Sequence, residues 1–432
     1  MQMNISTDIL LCLTYLVLWT LAFAWYHVKR FVMDSGTVII GMQVIYAIFS
    51  VLTLTDPLFS AAYEELALFP YIYLFSMLMI AMLPIIANHI DQPKKIAEPN
   101  TRIMHVVSLI LAVTAILQIP DVLSEGSGGI MKLITDVDAG KEAYEETAES
   151  MSEAGGSISN VPAVIFNMLT DFIPFFLFYF FTKKSKNYWV IIGLFIALLM
   201  SVVLPVSRGQ RAGTVQGILT IIATFFMFRM YMPAITRKII MSVGVTVVLL
   251  VSIPVIAITY SRFGEKAAGA TGFVTWYVGQ GSLYFNNFGL DAGGTRNGDR
   301  TINLVKRVID PSTPKNYVER RDKYPNLKID DYFFVTFVGD FVIDFGPIIA
   351  TIIIIVFSIV AWRGTRPRDG TITIYQLLLL HFVLCVNIQG GMTLFSYSDT
   401  GNLRIFAYLM LYIYMRYHDR LLEKFEKSDE QI

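Results

Sequence analysis

The chain has 432 residues, 55% of them hydrophobic and only 16% charged, with a mean hydropathy of +0.57. That is more apolar surface than a soluble core of this length can hide, so the chain needs lipid as solvent and a soluble globular protein is excluded. Its formal net charge of zero conceals an ordering of sign along the chain, and that ordering sets the topology.

Unbroken apolar stretches of about 20 residues recur from end to end, the length a helix needs to cross roughly 30 Å of hydrocarbon with its backbone satisfied. The alternation of a membrane barrel is absent. The predicted spans are residues 7–27, 35–54, 69–89, 103–119, 161–182, 188–206, 213–231, 239–260, 332–362, 372–393 and 401–417, about eleven crossings. The expected fold class is therefore all-α: one polytopic transmembrane domain over residues 1–432. The first run has no basic residue ahead of it and no small-residue cleavage site, so it is read as a retained helix. Cys12 and Cys385 lie in apolar runs without paired spacing, which indicates neither a disulfide framework nor a thiolate metal site.

Basic residues follow the odd-numbered spans: Lys29 and Arg30, Lys94 and Lys95, Lys183, Lys184 and Lys186, Arg237 and Lys238, Arg363, Arg366 and Arg368, then Arg416, Arg420 and Lys424. By the positive-inside rule these loops are cytoplasmic, with the N-terminus outside and the C-terminus inside. Residues 120–160 then form an acidic outer loop bounded by glycine and serine, a solvated helix or flap. Residues 261–331 form a large outer loop that is instead basic, and a basic surface facing outward suggests an anionic ligand.

The sharpest local feature is Ser207-Arg208-Gly209-Gln210-Arg211-Ala212-Gly213, a turn between two apolar spans on the outer side. The next helix begins there, so unpaired N–H groups and the positive dipole end face outward, and Arg208 and Arg211 share one face of its first turn. Together these suit a phosphate, although interfacial arginines can also simply reach lipid headgroups. Arg404 repeats the pattern in the first turn of the last span, with a salt bridge to Asp399 as the alternative. Arg262 sits at the outer end of the eighth span, so four arginines could ring one pyrophosphate. In the basic loop, Arg296 and Arg300 are further candidates for the anionic ligand.

Asp340 and Asp344 lie at i and i+4 in an apolar segment longer than one crossing requires, and Gly346-Pro347 offers a break beside them. Carboxylates at that depth are functional or paired, here either lining an outer vestibule or bound to outer arginines. Asp171 and His381 read as buried polar contacts between helices. Residues 276–288 mix aromatics with amides, among them Tyr284, Asn286 and Asn287, a chemistry that suits either sugar stacking or an interfacial aromatic belt. No P-loop, Rossmann glycine pattern, zinc spacing or Gly-x-Ser-x-Gly elbow occurs, so neither cofactor nor metal is indicated, and nothing points to nucleic acid as partner.

The many-helix layout, the Ser207-Arg208-Gly209 turn continuing to Arg211, the large basic outer loop, and Gly339-Asp340-Phe341 to Asp344-Phe345-Gly346 together resemble the bacterial oligosaccharide repeat-unit polymerases of the Wzy, or O-antigen polymerase, family. The resemblance implies a membrane-embedded, GT-C-like glycosyltransferase in the bacterial inner membrane. It would polymerise undecaprenyl-pyrophosphate-linked oligosaccharides at the outer face into O-antigen, capsular or exopolysaccharide, and could work with a chain-length regulator. Arg208 and Arg211, with Arg262 or Arg404, would then stabilise the pyrophosphate leaving group, and Asp340 or Asp344, chosen from the residues themselves and not from the resemblance, would accept the proton of the incoming hydroxyl. The related O-antigen ligases usually place a functional histidine in the large outer loop, and residues 261–331 contain none. A lipid-linked oligosaccharide flippase is the alternative from another class; it should show internal repeats and charges near the midplane, whereas here no repeat is evident and the charges gather at one surface.

Overall fold

The computed structural model describes residues 5–30, 33–87, 95–120, 161–207, 211–263, 269–329, 331, 333–367, 370–392 and 399–429. These are overwhelmingly helical, as expected of an all-α polytopic membrane protein. Helices α1 (Ile5–Arg30) and α2 (Ser35–Thr55) form a hairpin closed by Asp34. One Asp34 oxygen accepts the Thr37 N–H at 2.7 Å and caps α2, while the other accepts the Tyr26 hydroxyl of α1 at 2.7 Å. The short α3 (Pro57–Ser60) leads to α4 (Leu68–Ala87), and then β1 (Lys95–Ile96) pairs in parallel with β2 (Thr371–Ile372). That pairing joins two loops which the charge pattern had placed on the same side.

Next come α5 (Thr101–Ile116), α6 (Val161–Leu169), α7 (Phe172–Thr182), α8 (Tyr188–Ser207), α9 (Arg211–Phe228), α10 (Ala234–Phe263) and α11 (Gly269–Tyr284). After a π-turn at Phe285–Gly289, the described residues of the rest of the large loop hold α12 (Asn303–Ile309) and α13 (Tyr317–Lys323). The chain then returns through α14 (Thr336–Phe345), α15 (Pro347–Gly364), α16 (Ile374–Gln389) and α17 (Asp399–Asp429).

Seven of these helices are long and apolar enough to cross a membrane, and the pair α6–α7, bent by 59°, makes up to eight. Eleven were expected. The difference lies in α5 and α16, which at 16 residues each rise only about 24 Å, and in α17, whose apolar residues alternate with Arg404, Arg416 and several tyrosines. The ninth predicted span is divided at Gly346, whose φ of 78° and ψ of 161° lie in a region that only glycine enters freely. The fifth is divided at Asp171, just ahead of Pro174, whose missing N–H and ring disfavour an unbroken helix through Thr170.

Aromatics fill the middle of the bundle. Phe172, Phe175 and Phe176 of α7 are fully buried, Phe175 meeting Phe228 of α9 at 5.2 Å and Phe172 meeting Tyr408 of α17 at 4.3 Å. His381 of α16 ties two further helices together, with one ring nitrogen 2.9 Å from Thr224 Oγ1 and the other 2.9 Å from the Tyr408 hydroxyl. This is the interhelical polar contact expected of it.

The large loop is not wholly extramembrane in character, because α11 packs along α2. Ser50 Oγ lies 2.7 Å from Gly279 O and 2.8 Å from Ser282 Oγ, and Gly279 sits directly on the α2 backbone at Phe49 and Ser50. The α10 segment Ala234–Ala257, by contrast, is largely exposed along its apolar stretch, with Thr236 near its start buried.

Candidate functional site

Two polar clusters stand out against this apolar background. The first forms where the large loop meets α14. Asp340 and Asp344, four residues apart on that helix, are both fully buried. Asp344 accepts four hydrogen bonds: from Arg296 Nε at 2.7 Å, from the Thr301 N–H and hydroxyl at 2.7 Å each, and from the Arg300 N–H at 3.3 Å. Arg296 donates from Nη2 to Asp340 Oδ1 at 3.1 Å and from Nη1 to Asp331. Arg300 Nε comes within 3.2 Å of Asp340, its Nη1 donates to the Asp331 carbonyl at 3.1 Å, and Arg320 Nε completes the set on Asp331.

Three guanidinium groups thus face three carboxylates, and the charges cancel without a further ion. Burial alone would raise the Asp331 carboxyl, but Arg300, Arg296 and Arg320 outweigh it and hold it well below the usual carboxylate range. A second layer surrounds the first: Asp299 accepts the Tyr324 hydroxyl at 2.7 Å and pairs with Lys306 and Lys323. Arg296 and Arg300, expected to face an anionic ligand, are instead turned onto carboxylates of their own chain. Asp344 carries four donors and is sealed from any substrate by its burial. On Asp340, Oδ2 has no donor, yet it is sealed inside the cluster.

The aromatic and amide residues are committed as well. Asn286 clamps the Ala67 peptide, accepting its N–H at 2.9 Å and donating to its carbonyl at 2.7 Å, and Asn287 does the same to Glu64 at 3.1 and 3.2 Å. These contacts pin the loop ahead of α4. Tyr284 is buried among Tyr63, Phe288 and Phe333, with its ring centroid 4.5 Å from that of Phe333, so it offers no open platform for a sugar.

The second cluster lies where α9 and α17 begin and α16 ends. Arg404 Nε donates to the Asn167 carbonyl of α6 at 2.9 Å, and Nη1 donates to Gln389 Oε1 at 3.3 Å while standing 3.9 Å from Asp171 Oδ2. Gln389 Nε2 donates to Asp171 Oδ1 at 2.8 Å, and the Gln389 carbonyl accepts from Gln216 in the second turn of α9. Asp171 stands at the α6–α7 break, and its Oδ2 is buried without a hydrogen-bond donor. Arg404 is 24% exposed, the accessible cation of the group. It does not pair with Asp399, which is bound to Arg307 and accepts from Asn303 at 2.8 Å. Comparison with family models, curated proteins and solved structures finds no match to this chain.

Arg208 and the acidic segment 121–160 lie outside the described residues, and so do the side chains of Arg211 and Arg262. What is described is that Arg211 opens α9, the helix that reaches Arg404 through Gln216 and Gln389. Among the described residues no group of three or more His, Cys, Asp or Glu side chains is placed to hold a metal ion. Sequence reasoning missed Asp331 and Gln389, and gave Asp171 only a structural part. The signals were slight: Asp331 ends an Asp-Asp pair just ahead of an apolar run, and Asp171 interrupts one.

Proposed function

We propose that this chain is an outer-face membrane glycosyltransferase that polymerises undecaprenyl-pyrophosphate-linked oligosaccharide repeat units into a surface polysaccharide. The observation that carries the proposal is Arg404, a partly exposed cation at the end of an apolar bundle. Its one carboxylate neighbour among the described residues is 3.9 Å away, and it is linked to the helix that Arg211 opens. Seven long apolar helices, the bent α6–α7 pair, α5, α16 and α17 together supply eleven crossings for a GT-C-like arrangement. With α9 and α17 entering from outside, both arginines meet the substrate side.

In the proposed reaction the acceptor hydroxyl oxygen attacks the anomeric carbon of the lipid-linked sugar. The bond from that carbon to the pyrophosphate breaks, its electron pair goes to the pyrophosphate oxygen, and the anomeric centre inverts. Arg404 and Arg211 stabilise the charge that develops on this leaving group, where losing one such donor costs about 10²- to 10³-fold in rate. The hydroxyl proton passes to a carboxylate. Asp171 takes that part here, because its Oδ2 stands beside Arg404 without a donor, whereas both Asp344 oxygens already accept donors from the large loop. Asp340 and Asp344 then hold the large loop in place.

The test is a gel of surface polysaccharide from a strain lacking the gene, complemented with the intact chain, Arg404→Ala or Asp171→Asn at matched membrane abundance. Loss of the long ladder with retention of single-repeat products is the expected result for both variants. An unchanged ladder with both variants refutes the proposal. A flippase is the second reading, favoured by the broken α6–α7 helix with a charge pair at its break. It requires that even single-repeat products vanish while lipid-linked units accumulate inside.

A further inference from the structure

At the opposite, lysine-rich end of the bundle, a cleft of about 320 Å³ opens where α5 and α8 begin and α7 ends. Its floor is apolar, with Met104 buried and Phe180 packed against His105 at 5.4 Å. Two ammonium groups stand on its rim. Lys183 Nζ is 2.9 Å from Glu98 and 5.1 Å above the Tyr179 ring, and Lys186 Nζ donates to Thr236 Oγ1 at 3.0 Å. Among the described residues Lys186 has no carboxylate within ion-pair distance. Glu98 is 76% exposed, so its hold on Lys183 is a surface pair that a better anion can displace. Past Thr236, α10 continues with Arg237 and Lys238, which adds to the positive field.

Two observations identify the kind of anion. Tyr188 and Trp189, at the start of α8, are both largely exposed, the position aromatic residues take at a membrane–water interface, so the mouth of the cleft lies at headgroup depth. From Tyr188 an exposed apolar stripe runs down α8 through Ile192, Phe195 and Leu199, at spacings of four, three and four residues. A free phosphate has no use for such a stripe, whereas acyl chains do. We infer that this cleft binds the phosphodiester headgroup of an anionic phospholipid, with Lys183 and Lys186 on the phosphate and the acyl chains lying along α8. The site is independent of the proposed polymerase chemistry, which lies at the other end of the bundle, and it would hold that end of α5, α7 and α8 in the leaflet.

The test is native mass spectrometry of the detergent-solubilised full chain titrated with phosphatidylglycerol or phosphatidylcholine, with and without millimolar inorganic phosphate. The expected result is preferential retention of phosphatidylglycerol, undisturbed by phosphate, with affinity falling roughly fivefold for each lysine removed in Lys183→Gln, Lys186→Gln and the double variant. Lys183→Arg combined with Lys186→Arg keeps the preference, and Lys328→Gln at the other end leaves it unchanged. If Lys183→Gln with Lys186→Gln does not elute as a folded helical protein, Lys186→Gln alone, which gives up the Thr236 hydrogen bond and the contact with the Phe181 ring, is read the same way. Equal retention of phosphatidylcholine, or phosphatidylglycerol affinity unchanged in the glutamine variants, overturns the inference. Displacement of the lipid by inorganic phosphate overturns it in favour of a free-phosphate site.

Discussion

Asp344 holds four donors at a fully buried position, so its loss leaves Arg296 buried and short of a partner. Breaking such a buried pair costs about 3–5 kcal/mol, and Asp344→Asn, which keeps the shape but not the charge, is expected to fall in that range. The measurement is amide hydrogen exchange across residues 296–331: faster exchange there, with α4 and α15 unchanged, is the expected pattern, and unaltered exchange contradicts the anchoring role. Asp331 adds a pH dependence whose sign follows from its depressed pKa. A group lowered on folding stabilises above its unfolded pKa and loses that contribution as pH falls through the folded one. The anchoring is therefore constant from neutrality down to about pH 4 and weakens below it. Thermal midpoints of the native chain and Asp331→Asn, taken across that range, should converge toward low pH. The i, i+4 spacing of Asp340 and Asp344 was legible in the sequence. Pairing with outer arginines was one of the two roles open to them, but which arginines was not legible, because Arg296 reaches them from 44 and 48 positions away and no local pattern records so distant a contact.

Helix breaks show the same division between local and tertiary causes. The α14–α15 joint is written into Gly346-Pro347, since the backbone there needs a glycine and the proline can only begin a new helix. A Cβ on Gly346 would meet nothing within 4 Å, so the cost of Gly346→Ala is purely conformational, about 1–3 kcal/mol. Gly244 of α10 is the control: its surroundings are equally open and its backbone is helical, so Gly244→Ala should stabilise by roughly 0.5–1 kcal/mol. Unfolding midpoints in mixed detergent compare the pair, and shifts of the same sign would contradict the conformational account. The α6–α7 break has a local contribution from Pro174 in the first turn of α7, which has no N–H for the helical ladder and crowds the Thr170 carbonyl four residues back. The 59° bend is then fixed by tertiary contacts, where Gln389 and Arg404 come together with Asp171. Gly279 shows a third kind of information, in which a small residue marks a close helix approach that only the partner helix explains.

For the whole molecule, hydropathy gave the class of fold, and charge gave an orientation that helix packing alone cannot test. Helices α8, α9 and α10 are three of the seven long apolar helices, and all of them lie between Lys184 and Ser312. An odd number of crossings puts those two exposed positions on opposite sides of the membrane, provided α11 packs along α2 without crossing. Lys184→Cys and Ser312→Cys, made singly, can be labelled with a membrane-impermeant maleimide, because the native Cys12 and Cys385 are fully buried and give little background. The expected outcome is labelling of Ser312→Cys in intact cells and of Lys184→Cys only after permeabilisation. Labelling of both in intact cells would mean an even number of crossings between them, and the eleven-crossing topology would fall. The reverse pattern would keep the fold but invert it. Arg404 and the first turn of α9 would then face the cytoplasm, where they could not meet a lipid-linked oligosaccharide after it had been flipped outward.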